Sequence, residues 1–95
     1  MKQVYRITYP NNKIYIGKDL TGSINYFGSA DSATISLDFS HEETKRFTIT
    51  KDILWESETA TDEEVNKQEV YYILFYQSND PKIGYNRWPK YKYKI

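Results

Sequence analysis

A hairpin near the start of the chain constrains everything after it. Val4, Arg6 and Thr8 alternate with Tyr5, Ile7 and Tyr9, Pro10-Asn11-Asn12 interrupts the run, and Lys13 to Gly17 resumes it. Alternating β-branched and aromatic residues on either side of a Pro-Asn-Asn turn read as two antiparallel strands. If paired residue numbers sum to about 22, Tyr5, Ile7, Tyr9, Tyr15 and Gly17 share one face, and Val4, Ile14 and Ile16 occupy the other. A one-residue slip would exchange the faces, so this register is an expectation with a sharp structural test.

The rest of the chain supplies one further strand and two capped helices. Lys18 to Ala33 is rich in Gly, Ser, Asn and Asp, with Tyr26-Phe27-Gly28-Ser29 embedded, and reads as loop with at most one helical turn. Ser40 with Glu43 forms a capping-box pattern, which predicts a short helix over Ser40 to Lys45. Phe47, Ile49, Ile53, Leu54 and Trp55 predict a third strand, with a bulge expected at Lys51-Asp52. Thr61 with Glu64 is a second capping box, and Asp62, Glu63 and Glu64 place negative charge at a helix N-terminus. This main helix is expected to run to about Ser78, before Asn79-Asp80-Pro81 stops it. No linker, repeat or low-complexity stretch divides the 95 residues, so a single domain over 1–95 is expected.

Composition narrows the function classes. Thirteen basic and thirteen acidic residues cancel, so no global positive field draws the chain to nucleic acid, and binding would need a local patch. The tail from Arg87 to Ile95 offers one: Arg87, Lys90, Lys92 and Lys94 alternate with Trp88, Tyr91 and Tyr93, with no acidic residue. Basic side chains among aromatics can neutralise phosphates and stack on bases, although a solvated final strand would read the same way. Cysteine is absent and there is one histidine, which argues against thiolate or zinc chemistry. That histidine, His41, sits beside Glu42 and Glu43 and reads as a solvated surface residue. With no signal-like or membrane-spanning run, a soluble, cytoplasmic protein without membrane contact is expected.

Glu69 stands out in the main helix. At roughly 100° per residue, Val65, Tyr72 and Tyr76 fall within about 40° of one another, Ile73 widens the stripe, and Glu69 lands among them. A carboxylate on a core-facing stripe either snorkels to water from the stripe's border or is compensated by a partner or a cation. A single carboxylate suits a hydrated Mg²⁺ that keeps most of its waters, and tyrosine hydroxyls suit the orientation or deprotonation of water. Gly17, at the end of the second strand, is expected to leave room for a phosphate near the backbone.

In these residues the chain resembles the GIY-YIG nucleases. Gln3-Val4-Tyr5 stands where the family has Gly-Ile-Tyr, Tyr15-Ile16-Gly17 matches the second half of the name, and Glu69-Val70-Tyr71-Tyr72-Ile73 and Gly84-Tyr85-Asn86 are similar to the catalytic-glutamate helix and the closing Gly-Tyr-Asn. The match spans 3–86 in order, leaving 87–95 as a basic aromatic tail.

The resemblance implies an α/β (α+β) domain with a small three-stranded antiparallel sheet flanked by helices, acting as a DNA endonuclease with one Mg²⁺ or Mn²⁺ ion. By motif position Glu69 would be the metal ligand, Tyr5 and Tyr15 the active-site tyrosines, and Asn86 a supporting residue. The chain departs from the family in carrying Gln3 for the first glycine. It also lacks the arginine that members carry a little beyond the second tyrosine, since neither Lys nor Arg occurs between Lys18 and Lys45. Phosphate charge would then be met by Lys18, or by Arg6 or Arg46 brought in by the fold, with Arg87 and Lys90 of the tail as further contacts. The alternative is a catalytically impaired nucleic-acid-binding or regulatory module on the same fold, and a third reading is a protein-interaction domain. Strong sequence specificity would require a homodimer or a fused or partner specificity subunit.

Overall fold

The hairpin forms in the expected register. In the computed structural model, which describes residues 1–27, 30 and 32–92, β1 (Lys2–Thr8) pairs antiparallel with β2 (Ile14–Asp19). Tyr5 lies opposite Gly17 and Ile7 opposite Tyr15. Asn12 takes the left-handed conformation that closes the turn, at φ 68, and the Asn11 side-chain oxygen accepts from the Lys13 N–H at 3.0 Å. The second strand runs past Gly17 through Lys18 and Asp19.

β3 (Thr50–Ser57) pairs antiparallel with the other edge of β1, giving the order β2-β1-β3. The bulge falls at Leu54, because Val4 pairs with Trp55 and Tyr5 with Ile53. Lys51 and Asp52, where the bulge was expected, pair regularly with Ile7 and Arg6. The register against β1 shifts between Val4 and Tyr5, which leaves Leu54 as the extra residue.

The sheet buries both faces, each with its own cluster. Val4 and Ile16 pack with Ala60, Val65 and Ile73 beneath α3 (Asp62–Tyr76), while Tyr5, Ile7 and Tyr9 pack with Tyr85 and with Ile35, Phe39, Phe47 and Ile49. The second cluster is covered by the segment holding α1 (Ser32–Ser36) and α2 (His41–Thr44). Both capping boxes are formed: Ser40 accepts from the Glu43 N–H while Glu43 answers the Ser40 N–H, and Thr61 and Glu64 do the same for α3. α3 ends at Gln77, left-handed at φ 58, in the position where glycine is usual. α1 was not expected; it has no acidic first turn and no buried residue to announce it. Among the described residues no helix is long and apolar enough to cross a membrane.

The free edge of β2 is closed by the segment after α3. Ile14 donates to Ile83 O at 3.1 Å and accepts from Tyr85 N at 2.9 Å, and Gly84 lies so close that a Cβ there would meet Ser78 O at 2.5 Å and Ile14 O at 2.6 Å. The solvated final strand that stood as the alternative for the tail does not form over Arg87–Lys92; residues 93–95 of the basic tail, like Gly28 and Ser29 of the loop, lie outside the described residues.

Candidate active site

Tyr5, on the central strand, is 1% exposed. Its ring lies directly over Gly17: a Cβ at Gly17 would meet Tyr5 Oη at 2.3 Å and Cζ at 2.5 Å. The space expected to admit a phosphate therefore holds a phenol, and the glycine is required by packing. Tyr26 meets the Tyr5 ring edge-on at 6.0 Å, and Lys51 Nζ sits 4.9 Å from its centroid. Lys51 also donates to the carbonyls of Tyr26 at 2.6 Å and Ser23 at 3.4 Å, tying the loop after β2 down over the sheet. Lys51 escaped the sequence reading. Its pairing opposite Ile7 puts it on the Tyr5 face, and only the third strand's register reveals that.

Tyr15 shares Tyr5's face but lies on the outer strand, and Glu69 comes from α3 on the opposite face. The two meet around the edge of β2, where they form a common wall between two clefts. The first, about 380 Å³, is completed by Lys18, Asp19 and Tyr26 among others. The second, about 330 Å³, is completed by Tyr85, Asn86, Arg87 and Trp88 among others. Both volumes fall in the ordinary range of ligand sites, roughly 300–1,000 Å³.

The electrostatics separate the roles of the two carboxylates. Burial pushes the Glu69 carboxyl above its ordinary value, and the nearby Lys18 charge only partly opposes this. Among the described residues no hydrogen bond or close ion pair compensates the Glu69 carboxylate, so it is a half-buried group with unused capacity for a cation. No group of three His, Cys, Asp or Glu side chains forms among the described residues. Asp19 is only partly committed to structure: its Oδ1 accepts from Thr21, while its Oδ2 is buried with no hydrogen-bond partner among the described residues. Burial raises its pKa, but bonds from the Thr21 hydroxyl, both at 2.8 Å counting the Thr21 N–H, and from the Gly22 and Ser23 backbone outweigh it and leave Asp19 below the usual carboxylate range. Its Asx turn with Thr21 was legible in the sequence in principle, as an Asp two residues before a Thr-Gly pair.

Burial pushes the Tyr5 phenol far above its ordinary value, with the neighbouring Tyr15, Tyr26, Glu69 and Asp19 adding to the shift. Tyr5 therefore keeps its proton, and it lines neither cleft. Lys18 points to the α3 side and donates to Asn66 Oδ1. Asn86 braces the wall itself: its Oδ1 accepts from Ile16 N and its Nδ2 donates to Ile16 O, both at 2.8 Å. It thus replaces a neighbouring strand for the residue that follows Tyr15. Tyr85 locks the same segment to the hairpin turn, donating to Asp38 at 2.7 Å and accepting from Asn11 at 3.0 Å. Burial, then the Asp38 bond, push its phenol up to about 12.

The basic candidates divide. Lys18 and Arg87 each line one cleft, with Arg87 held by Thr34 Oγ1 at 2.9 Å. Arg6 lies on the α3 face between Asp52, at 2.9 Å, and the Tyr76 ring, at 5.3 Å, and lines neither cleft. Arg46 is exposed just beyond α2, and Lys90 lies beside Leu74 and Gln77 at the far end of α3. His41 is exposed, as expected. Trp88 is 72% exposed on the rim of the second cleft. Trp55 packs against the α3-side core. Compared with protein-family models, curated proteins and solved structures, the chain matches none.

Proposed function

We propose that this domain is a divalent-metal-dependent DNA endonuclease of the GIY-YIG type, hydrolysing phosphodiester bonds at the edge of β2. The observation that carries the reading is the wall shared by Tyr15 and Glu69, from separate elements, with a cation in the cleft on each side. The order of motifs along 3–86 supports it independently.

Glu69 is the residue that would hold a Mg²⁺ or Mn²⁺ ion, and the bound ion would polarise the phosphate and stabilise the departing oxygen. Tyr15 lines both clefts and orients the attacking water, while the protonated Tyr5 lies outside them. Lys18 and Arg87 hold the negative charge that builds on the phosphate from opposite sides, in place of the family's arginine. Asn86 acts at one remove by keeping β2's edge in place.

Incubation of the purified chain with plasmid DNA and Mg²⁺ or Mn²⁺ tests the reading: nicking should appear with metal, vanish with chelator and be lost in Glu69→Ala. Undiminished nicking by Glu69→Ala would overturn it. The bond from Lys18 to Asn66 favours one rival, a module that binds nucleic acid without cleaving it. That rival predicts binding indifferent to chelation and to Glu69→Gln, with no cleavage under any metal.

A further inference from the structure

Three features at the two clefts bear on the form of the nucleic acid. The first is Trp88, a large aromatic left 72% exposed on the rim of the second cleft beside the Arg87 guanidinium. An indole in that position presents an open face, and bases stack on such faces with little regard to sequence. The second is the first cleft's own aromatic, Tyr26, 39% exposed and held edge-on against Tyr5. The third is that one wall, Tyr15 and Glu69, separates the clefts, so a chain of nucleotides running from one to the other carries a phosphate across that wall.

Among the described residues no helix presents a basic face to a groove. A major groove admits a helix or a two-stranded ribbon. Here α1 has five residues and α2 four, and the exposed side of α3 is acidic in its first turn, at Asp62, Glu63 and Glu64, and apolar toward its end, with Tyr71, Leu74 and Phe75 exposed by 51%, 54% and 64%. Net charge is zero, so the long-range attraction that brings duplex binders to their phosphates is missing. Bases in an intact duplex have no free face to offer Trp88, whereas an unpaired strand does.

From this we infer that the domain acts on single-stranded or locally unpaired nucleic acid, with the base beside the scissile phosphate stacked on Trp88 and its phosphate on Arg87. The inference rests on the nuclease reading for the word scissile, but the binding geometry stands on the clefts alone. Arg87 suits the role because its planar fork can meet two phosphate oxygens while Thr34 fixes its approach.

The test is anisotropy of labelled oligo(dT), oligo(rU) and a duplex of the same length, at one salt concentration, with the full chain carrying Glu69→Gln so that cleavage cannot intervene. An unpaired strand should bind at least about tenfold more tightly than the duplex, and the better of the two homopolymers identifies the sugar. Trp88→Ala should weaken single-strand binding about tenfold while Trp88→Phe retains most of it, the pattern of a stacking platform. Equal affinity for duplex and single strand, or indifference to Trp88→Ala, would overturn the inference. Because Trp88 is exposed, an unchanged melting temperature for Trp88→Ala shows that any loss is not one of folding. Failure to cleave with metal would remove the nuclease reading and leave this binding result intact, so the two can fail separately.

Discussion

Replacing Gly17 by alanine separates two accounts of that glycine and has a magnitude set by three distances. The new methyl would meet Tyr5 Oη at 2.3 Å, Cζ at 2.5 Å and Cε2 at 2.6 Å, where carbon contacts relax near roughly 3.5–4.0 Å. The ring must therefore withdraw by about an ångström. It has nowhere easy to go, since Tyr5 is 1% exposed and packed within the cluster of Ile7, Tyr9 and Tyr85. Overpacking of this kind costs roughly 1–3 kcal/mol, and a rigid ring in a filled cluster belongs toward the upper end. For a domain of this size about 2 kcal/mol lowers the melting temperature by roughly 10 °C. Displacing the Tyr5 hydroxyl by an ångström should also cut cleavage on the order of a hundredfold. The informative assay is a double-mutant cycle read by urea denaturation. Tyr5→Phe removes only the hydroxyl contact and leaves Cζ in the way, so Gly17→Ala should remain costly in that background, whereas in Tyr5→Ala the cost should largely disappear. If Gly17→Ala is as stable as the parent but inactive, the glycine serves substrate approach and the packing account is wrong.

Three further outcomes follow from the same geometry. Burial raises the folded-state pKa of Glu69, so its favourable contribution is present below the unfolded carboxyl value of about 4.3 and is lost as pH rises through the folded value. Glu69→Gln should accordingly melt higher than the parent at neutral pH, with the gap closing in acid, and a gap that does not change with pH would contradict the assignment. Asn86→Ala leaves both the Ile16 N–H and C=O without their partner and should cost about 1–3 kcal/mol, with hydrogen exchange at the Ile16 amide accelerating; unchanged protection there would sink the bracing role. Lys18→Met and Arg87→Met should each lower kcat/KM by about tenfold or more, while Arg6→Met, which loses its Asp52 and Tyr76 contacts, should affect the melting temperature and spare cleavage.

Local chemistry made much of this fold legible. The hairpin register followed from alternation and turn, because a slip would have exchanged the faces and moved Val4 and Ile16 out of the cluster beneath α3. Both helix starts followed from Ser40 with Glu43 and Thr61 with Glu64, since these bonds close within a few residues. What failed to show was set by distant partners. The bulge sits at Leu54, where the register against β1 shifts between Val4 and Tyr5, and no pattern within β3 reports on that pairing. The reason for Gly17 lies across the ladder in Tyr5. Arg6 is a candidate phosphate contact by sequence, but it alternates with Tyr5 along β1 and so faces away from Tyr15, and the structure puts α3 on that side. Glu69 was visible as a charge within an apolar stripe. Trp88 and Arg87 were visible only as members of a basic aromatic tail, and their position beside Tyr15 depends on how residues 83–86 cross the edge of β2.

That crossing has a consequence for assembly. The sheet, both capping boxes and the Tyr5 cluster's strand residues are all in place by the end of α3, yet the strand that carries Tyr15 keeps an unsatisfied edge until Ile83 and Asn86 arrive. The edge of the strand that carries Tyr15 is thus completed by residues that follow α3 in the chain, and the same residues bring Tyr85 into the Tyr5 cluster. The same arrangement makes the protein a candidate for fragment complementation: a peptide carrying Gly84, Tyr85 and Asn86 supplies backbone and side-chain bonds that a chain cut after α3 is left waiting for.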